Sequence, residues 1–210
     1  MPSRNSPHTR GRKAQGKLRS LRRVLILCED EKSSVLYLKK FPIDRSMVEI
    51  KCEGTGYNTD SLMEVAIERK RDAIKRGNPY QEIWVVFDRD SFLLNNFNRA
   101  FDLAANHTDI HACWSNECFE LWYLFHFGFR QTGIDRNAIF KELSRLLNRE
   151  YDKADAEIYD LLKDKTNLAI QHALKLQLMN APEYSLHANP STMVHRLILR
   201  LMEFAPISAI

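Results

Sequence analysis

From residue 24 to about 130 the chain alternates short apolar runs with amphipathic stretches. Val24-Leu25-Ile26-Leu27-Cys28 is an unbroken run of strand length. After it, Val35, Leu36, Leu38 and Phe41 mark the apolar face of a helix that Pro42 ends. A second strand is predicted over 47–53, and Gly54-Thr55-Gly56 supplies a tight turn. Thr59, Asp60 or Ser61 is placed to cap a long helix carrying Leu62, Val65, Ala66 and Ala73, with Gly77-Asn78-Pro79 as its stop. A third strand follows over 82–87, then a helix near 92–105 and a fourth strand near 109–114. The segment 116–127 is almost continuously apolar and too long for one more strand, which predicts a buried helix. Beyond about 135 the strand patterns stop. Helices are predicted near 135–148, 153–163, 167–180 and 190–204, the last opened by Asn189-Pro190-Ser191-Thr192.

This order of elements predicts an α/β fold: a mainly parallel, Rossmann-like sheet flanked by helices, with a helical C-terminal part packed on it. Three regions result: an arm over 1–23, an α/β core over 24–130 and the helical part over 131–210. At 210 residues the chain fits one compact unit. Trp122, Tyr123, Phe125, Phe127 and Phe129 are expected in the core rather than as a base-stacking surface. No apolar run approaches the ~20 residues of a membrane span, and the basic N-terminus lacks the apolar stretch of a signal peptide. Cys28, Cys52, Cys113 and Cys118 show no CxxC spacing, so a reduced, cytoplasmic protein is expected. His111, Cys113 and Cys118 do not have usual zinc spacing.

Charge changes the picture at one end. Residues 1–23 carry eight Lys or Arg and no acid, so the net charge of +4 becomes −4 for the remainder. With few apolar residues and several Pro, Gly and Ser, this arm is expected to be flexible when free. Arg12, Lys13 and Lys17 are candidate contacts to a nucleic-acid backbone, where basic side chains displace condensed counterions. A solubilising arm without a specific partner accounts for the same charge.

The candidate chemistry lies at strand ends. The first apolar run stops at Glu29, and the third stops at Asp88-Arg89-Asp90. Open α/β sheets hold ligands beyond the carboxyl ends of their strands, and converging carboxylates there suit a hard cation such as Mg²⁺ or Mn²⁺. Helix capping competes with this reading, since Asp90 precedes Ser91-Phe92, and Asp30 or Glu31 stands before the first helix. A DxD phosphatase with Asp88 as nucleophile needs further motifs on later strands, yet Asp160 and Asp164 fall in a helical pattern. An ATPase needs a GxxxxGK[ST] loop, which this sequence lacks. Asn116 and Glu120 bracket the end of the fourth strand. Asn116 is a cap or a phosphate contact; Glu120 is a further metal ligand, a base or a helix-dipole acid. Lys32 and His195 are candidate substrate contacts with structural explanations of their own.

Three segments together resemble a known family: Leu25-Ile26-Leu27-Cys28-Glu29-Asp30-Glu31-Lys32, Val85-Val86-Phe87-Asp88-Arg89-Asp90, and Trp114 through Trp122 (Trp-Ser-Asn-Glu-Cys-Phe-Glu-Leu-Trp). With Asn189-Pro190-Ser191-Thr192-Met193-Val194-His195 they look like the RloB-like proteins over about residues 20–205. That resemblance implies a Toprim-like core in which Glu29 is the single glutamate and Asp88 and Asp90 are the DxD pair holding Mg²⁺. It also implies a nuclease of bacterial restriction and phage-defence loci, acting on DNA or RNA (tRNA among the RNAs). A companion defence ATPase or restriction protein is a candidate partner, and an exposed face of the helical C-terminal part is a candidate homodimer contact. The alternative is a non-catalytic subunit that binds nucleic acid or a partner. The chain departs from the family pattern at Glu117, where Pro is usual, and at Asp30, where Gly is common.

Overall fold

The computed structural model describes residues 21–57, 59–89, 94–180 and 188–206. Arg12, Lys13, Lys17 and Asp90 lie outside the described residues. The alternation expected from the sequence is present as β1 (Arg22–Cys28), α1 (Ser33–Lys39), β2 (Val48–Gly54), α2 (Thr59–Lys75), β3 (Glu82–Asp88), α3 (Leu94–Ala105), β4 (Ile110–Asn116) and α4 (Glu120–Phe125). The C-terminal part adds α5 (Arg136–Leu147), α6 (Ile158–Leu162) with a 3₁₀ turn at Lys163–Lys165, α7 (Thr166–Met179), β5 (Ser191–Thr192) and α8 (Val194–Met202).

The sheet order is β2-β1-β3-β4-β5, with the first four strands parallel. Both faces are covered, which explains why the central strands read as unbroken apolar runs. Val24, Ile26, Trp84, Val86 and Cys113 point to one face, where α1, α4 and the C-terminal helices share a single core. Leu25, Leu27, Ile83, Val85, Phe87 and Trp114 point to the other, against α2 and α3. β1 therefore feeds a helix on one face while β3 feeds a helix on the opposite face. The carboxyl ends of β1 and β3 are therefore the topological switch point of the sheet, where open α/β folds bind their ligands.

Two expectations are corrected. Strands do not stop at 135: Ser191–Thr192 forms β5, antiparallel to β4 through Ser115↔Thr192 and Asn116↔Ser191. Two residues give no period to detect, and the Ser115 and Thr192 hydroxyls, 2.8 Å apart, tie the pair together. The last helix accordingly begins at Val194 rather than 190. The buried helix expected over 116–127 is only Glu120–Phe125, because Asn116 belongs to β4. The Asn116–Glu117 and Asn189–Pro190 peptides are cis. Among the described residues no helix is long and apolar enough to cross a membrane, and all four cysteines are free.

Candidate active site

Glu29 and Asp88 meet at the carboxyl ends of β1 and β3. The β1 ladder continues one residue past Cys28, with the Glu29 N–H donating to Val86 O at 2.9 Å. The turn after β2 then fixes the Glu29 backbone. Thr55 donates its N–H (3.0 Å) and its hydroxyl (3.1 Å) to Cys28 O, and the Gly56 N–H donates to Glu29 O at 3.0 Å. Gly56 adopts φ 66°, a left-handed conformation natural to glycine. Glu29 Oε2 accepts the Asp88 N–H at 3.0 Å, which lays the carboxylate across the gap onto the end of β3.

Asp88 is held from two sides. Its Oδ1 accepts the Phe119 N–H at 2.9 Å, and its Oδ2 accepts from Arg136 Nη2 at 3.0 Å. Both side chains of the ion pair are partly exposed, Asp88 at 16% and Arg136 at 33%. Arg136 opens α5, whose N-cap Asp135 accepts the Ala138 N–H at 2.9 Å. The stretch before it is clamped by Asn189, whose amide accepts from the Ile134 N–H (3.1 Å) and donates to Ile134 O (3.2 Å). The segment Asn189-Pro190-Ser191-Thr192 therefore reaches Asp88 through α5 as well as through β5. Sequence inspection missed Arg136; a lone basic residue after a turn carries no signal by itself.

The remaining candidates divide by exposure. Asp30 is a capping residue, accepting the N–H groups of Lys32 (3.1 Å) and Ser34 (3.2 Å) and the Ser33 and Ser34 hydroxyls. Lys32 is exposed at the mouth of the same loop. Asn116 is buried and donates to Ala188 O at 2.8 Å, binding the β5 segment to β4. His195 is 1% exposed, with Nε2 2.9 Å from Gln177 Oε1, and burial pulls its pKa down to about 4. It is thus a neutral interior group away from solvent. Glu120 is 0% exposed and accepts from the Tyr151 hydroxyl at 3.0 Å, with Lys153 Nζ 3.8 Å away. Burial and the Glu120 charge both push the Tyr151 phenol up. The side chain anchors the start of α4, directly after the Phe119 N–H that holds Asp88.

Among the described residues, no group of three or more His, Cys, Asp or Glu side chains is arranged to hold a metal ion. Neither His111 with Cys113 and Cys118 nor Glu29 with Asp88 and Glu120 forms such a group. The pair Glu29–Asp88 still fits a hard cation on chemical grounds. Its donors are carboxylate oxygens, it is partly exposed, and Mg²⁺ usually needs only one or two carboxylates beside its waters.

Fold and site together define a parallel α/β protein with an acidic pair at its topological switch point. The model of the RloB-like protein family matches residues 24–201, and the chain belongs to that family. Comparison with curated proteins and with solved structures finds no match.

Proposed function

We propose that this protein is a divalent-metal-dependent, Toprim-type nuclease that hydrolyses phosphodiesters of DNA or RNA in antiphage defence. The observation that carries this reading is the meeting of Glu29 and Asp88 at the β1/β3 switch point of an RloB-like chain. These two residues, with Asp90 beyond the described segment, would hold Mg²⁺ or Mn²⁺. The bound ion would supply Lewis-acid polarisation of the phosphate and a water acidic enough to attack it.

The chain's own residues prepare the site. The 54–56 turn fixes Glu29 through its carbonyl. The Phe119 N–H orients one Asp88 oxygen, and buried Glu120 steadies the helix behind it. Lys32, exposed three residues after Glu29, would meet a phosphate oxygen as a point charge. The basic arm joins β1 at Arg22, the end remote from Glu29 by about 20 Å of strand. A grip by Arg12, Lys13 and Lys17 on the nucleic-acid backbone would add affinity without sequence readout.

The test is cleavage of labelled DNA and RNA by the full chain in Mg²⁺ or Mn²⁺, with and without EDTA. Chelation should abolish cleavage. Asp88→Asn and Glu29→Gln should lower it about a hundredfold or more, since even groups that merely support metal ligands cost roughly 10–100-fold when removed. Equal cleavage by Asp88→Asn and wild type would contradict the assignment. A second reading, a non-catalytic subunit that binds nucleic acid or a companion ATPase or restriction protein, draws on one observation: Asp88 is already neutralised by Arg136. Intact substrates in Mn²⁺, with binding that weakens as salt rises, would favour it.

A further inference from the structure

β3 begins and ends on a carboxylate paired with arginine, and the two pairs differ in kind. At its start Glu82, 8% exposed, is gripped by Arg200 through Nε at 2.9 and 3.1 Å and through a second guanidinium nitrogen, with Arg22 also in contact. That pair ties α8 to the sheet, with a buried carboxylate held by two arginines. At its end Asp88 meets Arg136 Nη2 at 3.0 Å in a pair that solvent reaches from both sides. The backbone around Arg136 is fixed by Asp135, by the Asn189 clamp on Ile134 and by Ile139 and Leu143 in the core. Opening the pair requires the long Arg136 side chain, one-third exposed, to swing away while its backbone stays in place. The oxygen it occupies belongs to the residue whose backbone N–H donates to Glu29 Oε2 at 3.0 Å.

We propose that Arg136 is the exchangeable counter-ion of Asp88: it neutralises the carboxylate when no divalent cation is bound and gives it up when one binds. This rests on the metal reading above. Asp88 without a partner would add a second negative charge at the strand ends that carry Glu29, and like charges repel. The guanidinium, permanently charged, removes that repulsion without a metal. A cation arriving at the same oxygens meets a like charge there, so exchange, rather than joint occupancy, follows from electrostatics. The C-terminal helical part thereby acts on the affinity of a site made by the α/β core.

Mn²⁺ titration of the full chain, followed by the paramagnetic resonance signal of free Mn²⁺, tests this without reference to catalysis. Arg136→Gln should bind Mn²⁺ about five- to tenfold more tightly than wild type, the scale of one partly exposed ion pair. Arg136→Lys, which keeps the charge, should stay within about twofold of wild type. Asp88→Asn should lose the tight site in every background. If Arg136→Gln binds no more tightly than wild type while Asp88→Asn still abolishes binding, the exchange is wrong and the metal site stands. If neither wild type nor Arg136→Gln binds Mn²⁺, the metal reading falls and takes the exchange with it. Should Arg136→Gln fail to fold, ¹⁵N spectra of the wild-type arginine side chains during Mg²⁺ titration decide the matter. A shifted, faster-exchanging Arg136 signal supports release, and an unchanged one overturns it.

Discussion

Gly54 has no room for a side chain. A Cβ there would lie 2.5 Å from Glu31 Cα and 2.7 Å from Asp30 O, both backbone atoms that cannot swing aside. The loop carrying Glu29, Asp30 and Glu31 therefore rests directly on the end of β2, and the glycine is what permits it. Gly54→Ala is expected to cost about 1–3 kcal/mol through that overlap. For a chain of this size the loss lowers Tm by roughly 2–4 °C per kcal/mol. The same variant should displace Glu29 and weaken divalent-cation binding; an unchanged Tm by calorimetry would show that the loop sits elsewhere. From sequence this glycine was legible only as a turn. Glu29 and Asp88 were legible because each ends a strand. Asp30 was one of several acids placed to cap, and the hydrogen bonds single it out.

The longer elements were legible and the joins between them were not. β1 to β4 and the helices between them announce themselves by apolar runs and helical spacing, since each buries one or both faces. β5 has two residues, so only its contacts with Ser115 and Asn116 define it. The placement of α5 is equally non-local. Asn189 clamps Ile134 across 55 residues, and only then does Arg136 reach Asp88. Nothing in the spacing of these residues reports that chain of contacts. Glu120 illustrates the opposite limit. Its place beside a strand end suggested a metal ligand or base, and its burial among Phe119, Leu121 and Trp122 could be found only from the packing of α4.

At the scale of the whole molecule, burial sets a dependence on pH. His126 and His195 are both held neutral, their pKa values lowered by burial from 6.5 to about 4. The unfolded chain takes up protons at these positions near pH 6.5 while the folded chain does not. Their stabilisation is therefore complete above pH 6.5 and is lost as pH falls towards 4, by up to about 1.4 kcal/mol per pH unit for each group. Urea unfolding should show a chain about 2–4 kcal/mol less stable at pH 5 than at pH 7 from these two groups. His195→Gln should flatten that slope by roughly half of the histidine contribution, and an unaltered slope would mean that His195 already carries its proton when folded.

The sheet order β2-β1-β3-β4 brings two acids, distant in sequence, to neighbouring strand ends, where they would share one cation. A crystal structure of the full chain soaked in Mn²⁺, with anomalous data collected near the manganese edge, tests this most directly. The expected result is one strong anomalous peak between the Glu29 and Asp88 carboxylates, absent from Asp88→Asn crystals under the same soak. Saturating Mn²⁺ that leaves these strand ends without a peak would contradict it.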